Sequence, residues 1–557
     1  MGLSEFEKQR QANIARNKEL LQKLNLNSIS NDIYADIKKE ENEKQATKRA
    51  KRPKKKTKQN EPQQPLRKSR RLAGVKTEDT EESQLFMKQL EDARAKKEEL
   101  ENLQKVRLSG DIKLIDVLSY NTKDDGNNDQ IMLDKFAQIG KSISMGDFYE
   151  LVSLKTKLND KNLDNLRKQF NGLKIFEKYD PLDVKITPNR MTSINFHPSI
   201  TKRLVIGGDT SGHMGIWSID DEKQKIDDQD KLVPNISSFK IHGKTISKCL
   251  INLQKSPSKI YTSSYDGSVR SVDLESLKSE DIFHLDDEYG QPVGISDANF
   301  ADENLLYFTT LGGELGIKDL RVPDTTSVVG TRLLRLHDKK IGSFAINPSF
   351  NQQIATASLD RSLRLWDLRK ITENNWSAYR ENGESIKSPH CYGSYLSRLS
   401  ISCADWNRSG DIVCNGYDDT VNIFNLGDTS NLESDFVYGL ELRKRSSGSK
   451  KEEETNHLDL QVPENLVPNH KIRHNCQTGR WVSILKSKWQ LKPKDGIEKF
   501  AIANMTRYID IYTASGIQVA HLGDRDLLGA VPAVVSFHPT ENWIVGGSAS
   551  GKGYLFC

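Results

Sequence analysis

The first string that could do chemistry is GGSASGKG, Gly546 to Gly553, which has the G-x-x-x-x-G-K spacing of a phosphate-binding loop. Such a loop needs a Ser or Thr after the lysine to reach magnesium, and then a helix whose N-terminus holds phosphate. Gly553 stands where the hydroxyl should be and no helix has room to follow, so the string reads as a hairpin turn. No G-x-S-x-G or H-E-x-x-H motif is present. The six cysteines, Cys249, Cys391, Cys403, Cys414, Cys476 and Cys557, contain no C-x-x-C pair and no ligand-spaced Cys/His group. Neither a disulfide framework nor a zinc finger is supported. The expectation is a protein without catalysis, cofactor or metal.

What remains is charge. The 557 residues carry 82 Lys plus Arg against 77 Asp plus Glu, a net charge of only +5. Its placement is uneven. Lys48, Arg49, Lys51, Arg52, Lys54, Lys55, Lys56, Lys58, Arg67, Lys68, Arg70 and Arg71 face one acid, Glu61, for a local charge of +11. Pro53, Pro62 and Pro65 interrupt any helix there, so the tract reads as an extended, self-repelling linker. It can neutralise phosphates without reading sequence, and the same composition serves as a nuclear import signal. The opening MGLSEFEKQRQ is charged from its fifth residue, and no apolar run approaches the roughly 18 residues of a membrane span. Secreted and membrane-bound proteins are therefore not expected.

These residues must be positioned by a scaffold, and from Arg190 onward the chain becomes short β-rich runs separated by Gly, Asp, Asn and Ser. The clearest unit is 337–369, in which Ser358, Asp360 and Trp366 set a ruler: an acid two residues after a small hydroxyl, and a bulky residue six after the acid. The ruler recurs in YTSSYDGSVRSVDL and CNGYDDTVNIFNL, and more weakly in four other places. Seven copies end at Trp217, Val272, Lys318, Trp366, Phe424, Tyr512 and Phe556. With residues 427–469 set aside as a disordered insertion, about 46 residues remain per unit, the period of a WD-type repeat with loop variation. The fold class is therefore all-β, a seven-bladed WD40 β-propeller. His337 and Ser358 are the expected partners of the Trp366 N–H, and Leu182 to Thr187 the strand that closes the last blade. The expected domains are a flexible basic arm with short helices over 1–130, a helical lead-in over 131–181, and the propeller over 182–557. Within the arm, residues 1–26 and 84–106 read as amphipathic and mixed-charge helices.

In a propeller the loops entering each blade open on one rim. Here they carry Arg190, Lys244, Lys339, Lys340, Arg398, Arg480 and Arg525, while Tyr265, Tyr417 and Arg361 sit on neighbouring turns. Such a rim can grip a DNA backbone, and the rings can stack on an exposed base. Scattered surface cations also serve solubility. Protein binding is the other use of a propeller. Trp366, Asp367 and Arg369, with Asp319 and Arg321 in the same register one unit earlier, look like the box by which WD proteins dock on the adaptor of cullin-RING ubiquitin ligases. Arg369 can equally pair with a neighbouring carboxylate.

The opening EFEKQRQANIARNKELLQKLNL, the basic tract, RKSRRLAG at Arg67 to Gly74 and the seven degenerate repeats together resemble the fungal DNA damage-binding WD-repeat proteins, the changed-mutation-rate family, along nearly the whole chain. The resemblance implies a nuclear protein, with a cytoplasmic pool also compatible, that binds double-stranded DNA and prefers it ultraviolet-damaged. It implies work in genome maintenance or replication-stress responses, with DNA repair among the expected roles; the chain itself is expected to be a monomer. The alternative is a chromatin- or histone-binding scaffold, or a ligase substrate receptor.

Overall fold

The computed structural model describes residues 102, 105–118, 126–142, 159–222, 233–252, 255–322, 333–374, 376–379, 386–438, 462–479 and 481–557. The chain divides into Met1–Lys88, wholly outside these residues, and Gln89–Cys557. The basic tract, the helix expected over 1–26, almost all of that expected over 84–106, and Arg480 lie outside the described residues.

Seven antiparallel sheets follow one another in sequence. A two-residue strand, β1 (Ile112–Lys113), comes first. Blade 1 is β2 (Met191–Phe196), β3 (Leu204–Asp209), β4 (His213–Glu222) and β5 (Pro234–Lys240). Blade 2 is β6 (Ile246–Asn252), β7 (Ser256–Ser264), β8 (Ser268–Asp273) and β9 (Lys278–His284). Blade 3 is β10 (Ile295–Phe300), β11 (Leu305–Thr310), β12 (Glu314–Asp319) and β13 (Leu334–Arg335). Blade 4 is β14 (Ile341–Ile346), β15 (Gln353–Ser358), β16 (Ser362–Glu373) and β17 (Lys387–Leu396). Blade 5 is β18 (Ile401–Trp406), β19 (Asp411–Gly416), β20 (Thr420–Asn425) and β21 (His470–Arg473). Blade 6 is β22 (Lys488–Trp489), β23 (Lys499–Asn504), β24 (Tyr508–Thr513) and β25 (Gln518–Leu522). Blade 7 is β26 (Val534–Phe537), β27 (Ile544–Gly547) and β28 (Gly553–Phe556).

Each first strand touches the next, β2 to β6, β10, β14, β18, β22, β26 and back to β2, so the sheets form a closed seven-bladed propeller. The second strands are covered by neighbouring blades on both faces, which is why β3, β15 and β19 are buried at every residue. All seven ruler copies end on a third strand. The residue after the turn acid, or after whatever stands in its place, adopts the left-handed conformation in every blade; Arg361 does so at φ 77° without being glycine. GGSASGKG is the β27–β28 hairpin.

The last sheet is completed from before the first. Lys185 bridges Lys552, and the Gly553 N–H donates to the Val184 carbonyl at 2.9 Å. Gly215 admits this segment: a Cβ there would lie 2.0 Å from the Ile186 carbonyl oxygen. A second piece, not anticipated, also joins: Phe176 N–H donates to the Leu555 carbonyl at 2.8 Å and Cys557 N–H to that of Lys174 at 3.1 Å.

Among the described residues two α-helices precede the ring. α1 (Gly126–Ser142) packs Leu133, Phe136 and Ile139 with the core of blades 1 and 2, and α2 (Asp160–Asn171) packs Leu163, Leu166 and Phe170 with that of blades 6 and 7. The boundary expected at residue 130 is too late. Residues 105–118 already lie on the propeller: β1 pairs with β9, Leu114 is buried, and the buried Arg270 guanidinium donates to the carbonyls of Leu108 at 3.2 Å and Gly110 at 2.5 Å. A buried guanidinium needs such acceptors, and the strap supplies them. Both ends of the stretch expected as an insertion, 427–438 and 462–469, are among the described residues. Residues 439–461 lie outside the described residues, but Phe436 and Tyr438 pack against blades 4 and 5, and Leu466 is buried there, because each has an apolar face to cover.

Candidate nucleic-acid interface

The turns that join second to third strands are hydrogen-bonded to the loops that enter the blades. Thr210 N–H donates to the Arg190 carbonyl at 3.0 Å, Tyr265 to Thr245 at 2.9 Å, Leu359 to Lys340 at 3.0 Å and Tyr417 to Ser400 at 3.0 Å. Both sets therefore occupy one end of the ring. Lys244, Lys339, Arg361, Arg398 and Arg525 are exposed at that end, and Arg190 is half-buried. Arg525 donates through Nε to the Tyr508 hydroxyl at 3.2 Å.

Three residues are less available than their spacing suggests. Lys340 turns inward, its Nζ 2.6 Å from the Tyr265 hydroxyl and 4.6 Å from the ring centroid, so Tyr265 is clamped and half-buried. Tyr417 is half-buried as well. The ring of cations is also broken: the loop entering blade 3 carries Asp286, Asp287 and Glu288 instead, with Arg107 of the strap forked on Asp286 at 2.7 and 3.3 Å.

The turn acids do not cancel the rim cations, because their charge is directed inward. Burial works to raise the Asp360 carboxyl, but His337, Arg364 and Ser362 outweigh it and hold it well below the usual range. His242, Ser268 and the Gly243 N–H do the same for Asp266 against its burial. In blade 4 the carboxylate ends a chain of hydrogen bonds. Trp366 Nε1 donates to Thr356 Oγ1 at 2.8 Å, Thr356 Oγ1 lies 2.7 Å from His337 Nε2, and His337 Nδ1 lies 2.7 Å from Asp360 Oδ2. A neutral His337 with its proton on Nδ1 satisfies every link. Thr356, not Ser358, takes the indole N–H; Ser358 instead accepts the Asp360 N–H at 3.2 Å.

The loop that enters blade 6 was not singled out in the sequence beyond Arg480. Its start is fixed by Asp419, whose carbonyl accepts from His474 N–H at 3.0 Å and whose Oδ1 accepts from Cys476 N–H at 3.1 Å. It is then hydrogen-bonded to three other blades. Ser483 Oγ donates to the Met191 carbonyl in blade 1, Asn415 Nδ2 of blade 5 donates to the Leu485 carbonyl at 2.9 Å, and Lys486 Nζ donates to the Gly342 carbonyl in blade 4 at 3.1 Å. Trp481 rides on this loop, 78% exposed. A tryptophan outside every strand register, beside an arginine in TGRWVS, was the signal that could have found it.

The D-x-R pairs sit at the opposite end, where β12 and β16 leave the cation rim. Arg321 Nη2 folds back to Asp319 Oδ2 at 2.6 Å, and Arg369 Nη2 to Asp367 Oδ2 at 2.6 Å and the Leu432 carbonyl at 2.6 Å. The Arg321 fork holds the Asp319 carboxyl down at about 2. Trp366 is fully buried and presents no surface for docking, because its indole is engaged inside blade 4. Among the described residues no group of three His, Cys, Asp or Glu could hold a metal ion, and no helix is long and apolar enough to cross a membrane. All six cysteines are unpaired, and burial pushes the Cys249 and Cys391 thiols up to about 12.

The WD domain, G-beta repeat family matches residues 329–367, a stretch that includes β13, β14, β15 and the first half of β16. The chain is similar along its full length to proteins named DNA damage-binding protein CMR1. It is 46% identical to that of Meyerozyma guilliermondii over 100% of both chains, and 46% identical to that of Debaryomyces hansenii over 100% of this chain and 99% of the relative. It is 44% identical to that of Candida albicans over 100% of both. Identity at this level, sustained from end to end, places the chain in the CMR1 family of yeast WD-repeat proteins.

Proposed function

We propose that this chain is a non-catalytic nuclear protein that binds double-stranded DNA and prefers it ultraviolet-damaged, in the service of genome maintenance. The observation that carries the reading is the gathering of Lys244, Lys339, Arg361, Arg398 and Arg525 at one end of a closed ring, while the turn acids beside them are tied up internally. The name borne by the relatives supports the same reading. Cations on separate, rigidly based loops position a phosphate backbone without reading bases. Damage enters as mechanics: a lesion weakens stacking, so a duplex that must bend or open to fit the rim costs less to deform when damaged. The tract from Lys48 to Arg71 adds salt-sensitive attraction and nuclear import.

The test is binding of the purified chain to irradiated and intact duplexes of one sequence. Tighter binding to the irradiated duplex, diminished by Lys244→Glu with Arg398→Glu, supports the reading; equal binding to the two duplexes refutes it. A second reading, docking of a protein such as a ligase adaptor or histone, is favoured by the repetition of the same Asp–Arg geometry in blades 3 and 4, at the end of the ring away from the cations. Arg321→Ala with Arg369→Ala would then abolish partner capture while DNA binding persists.

A further inference from the structure

We infer that the interior of the ring holds a compact oxyanion of the phosphate type, bound between Lys248, Lys486 and Lys488. The site is separate from the cations of the outer loops and does not rest on the DNA-binding reading.

Placement follows from the strands. The seven first strands touch one another all the way round, so they form the inner wall of the ring. Along that wall four side chains are charged: Lys248 in blade 2, Asp297 in blade 3, Asp405 in blade 5 and Lys488 in blade 6. Lys248 Nζ lies 3.3 Å from Asp297 Oδ1, and Lys488 Nζ donates to Asp405 Oδ1 at 3.2 Å. The loop entering blade 6 adds Lys486, whose Nζ donates to the Gly342 carbonyl of blade 4 at 3.1 Å.

These charges act on one another from different blades. Burial lowers the Lys248 ammonium below its ordinary value; Asp297 opposes that, and Lys488 and Lys486 add to it. The Asp297 carboxyl, which burial alone would raise, is held down by the same three lysines and by the Phe344 N–H. Blades 2 and 6 are not neighbours, so their lysines meet across the interior.

Positive charge and donors are in excess there. Three ammonium groups face two carboxylates whose oxygens are partly spent: Asp297 accepts from Ala298 N–H at 3.0 Å and Phe344 N–H at 3.1 Å, and Asp405 from Trp489 N–H at 2.8 Å. An ammonium has more hydrogens to donate than one acceptor can use, and among the described residues each of these three meets a single acceptor. Cations withdrawn from bulk water without matching acceptors are costly. A polyvalent oxyanion supplies both the missing charge and the missing acceptors, through charge-assisted hydrogen bonds from several sides. The lysines also stay within reach of a ligand: the side chains of Lys248 and Lys488 are 12% and 23% exposed, whereas Asp297 is wholly covered.

The experiment is calorimetry of the full chain titrated with inorganic phosphate or a nucleoside monophosphate in place of chloride, at constant ionic strength. Phosphate is expected to raise Tm in a saturable way, as a ligand of the folded state does. Lys486→Gln leaves both carboxylates with their own lysines, and should weaken phosphate binding about 10- to 100-fold. Lys339→Gln, on an outer loop, should bind as the wild type does. A response to inorganic phosphate alone assigns the site to the free ion, and a response to the monophosphate extends it to the phosphate end of a larger molecule. No saturable response to either probe overturns the proposal, as does a wild-type response in Lys486→Gln or a lost one in Lys339→Gln. Should Lys486→Gln fail to fold, acetylation of the wild-type lysines, read by mass spectrometry, decides. Slower labelling of Lys486 and Lys488 in phosphate, with Lys339 unaffected, supports the site; unchanged labelling of the pair, or equal slowing at Lys339, overturns it.

Discussion

Blades 4 and 6 have the same four-stranded plan and opposite emphases. In blade 4 the first strand runs six residues, the second is wholly buried, and Trp366, Thr356, His337 and Asp360 form one continuous hydrogen-bonded chain. In blade 6 the first strand shrinks to two residues, Tyr512 stands where Trp366 would, and Asp510 is shared between His474 at 2.9 Å and His521. The loop ahead of that short strand carries Trp481 and is hydrogen-bonded to blades 1, 4 and 5. The contrast teaches that a blade's internal hydrogen-bond chain and the reach of the loop in front of it are traded against each other. A self-sufficient blade can have a short loop in front of it, and a curtailed one frees chain to reach across the ring.

The comparison breaks most visibly through blade 4. Trp366→Ala removes the largest buried side chain there and should cost about 4 kcal/mol. In a ring of this size that lowers Tm by roughly 5 °C, measured by calorimetry. The ratio of affinities for irradiated and intact DNA should stay near wild type.

The loops in front of the two blades should also differ in what they contribute. Lys339→Glu, on the loop entering blade 4, should weaken binding to damaged and intact duplexes alike by about tenfold at low salt. It should also reduce the slope of log K against log salt by about 0.9, the change expected when one phosphate is no longer neutralised. A change in the ratio instead of the slope would blur the distinction between holding and discriminating.

Blade 6 also carries a pH-dependent weak point. Burial, then Asp411, pushes the Glu498 carboxyl up to about 7. Its protonated form is favoured in the fold, so the stability it contributes is present below the ordinary carboxylate pKa and lost as pH rises through 7. Glu498→Gln should raise Tm by roughly 2 °C at pH 8 and leave it unchanged at pH 4, by scanning calorimetry. The smallest effect returns to blade 4. Arg361 holds φ 77° at an exposed turn tip, and Arg361→Gly should relieve about 1 kcal/mol of strain while slightly weakening DNA binding in the same titration.

The number of blades was legible because the acid and the bulky residue are local and recur at fixed spacing, even where WD chemistry has decayed. The partner of Trp366 was misplaced for a geometric reason. Thr356 and Ser358 are two apart on one face of β15, and pairing sets Trp366 opposite Ile354, from which the indole reaches Thr356 diagonally. The second piece of the closing strand, at 174–176, and the strap held by Arg270 left no pattern, since each is fixed by a contact with residues more than 150 positions away. The rim cations could be enumerated from the loops, but spacing alone did not tell which are tied inward, as Lys340 is to Tyr265. Trp481 escaped notice because the ruler gives meaning only to residues in register.

The most direct test is a salt titration of the full chain on irradiated and intact duplexes, wild type against the combined Lys244→Glu, Lys339→Glu, Arg398→Glu and Arg525→Glu protein. With the tract from Lys48 to Arg71 left untouched, the reversed protein should keep weak, salt-sensitive binding and lose its preference, the two curves merging. Two curves still separated as in the wild type would contradict recognition of damage by this end of the propeller.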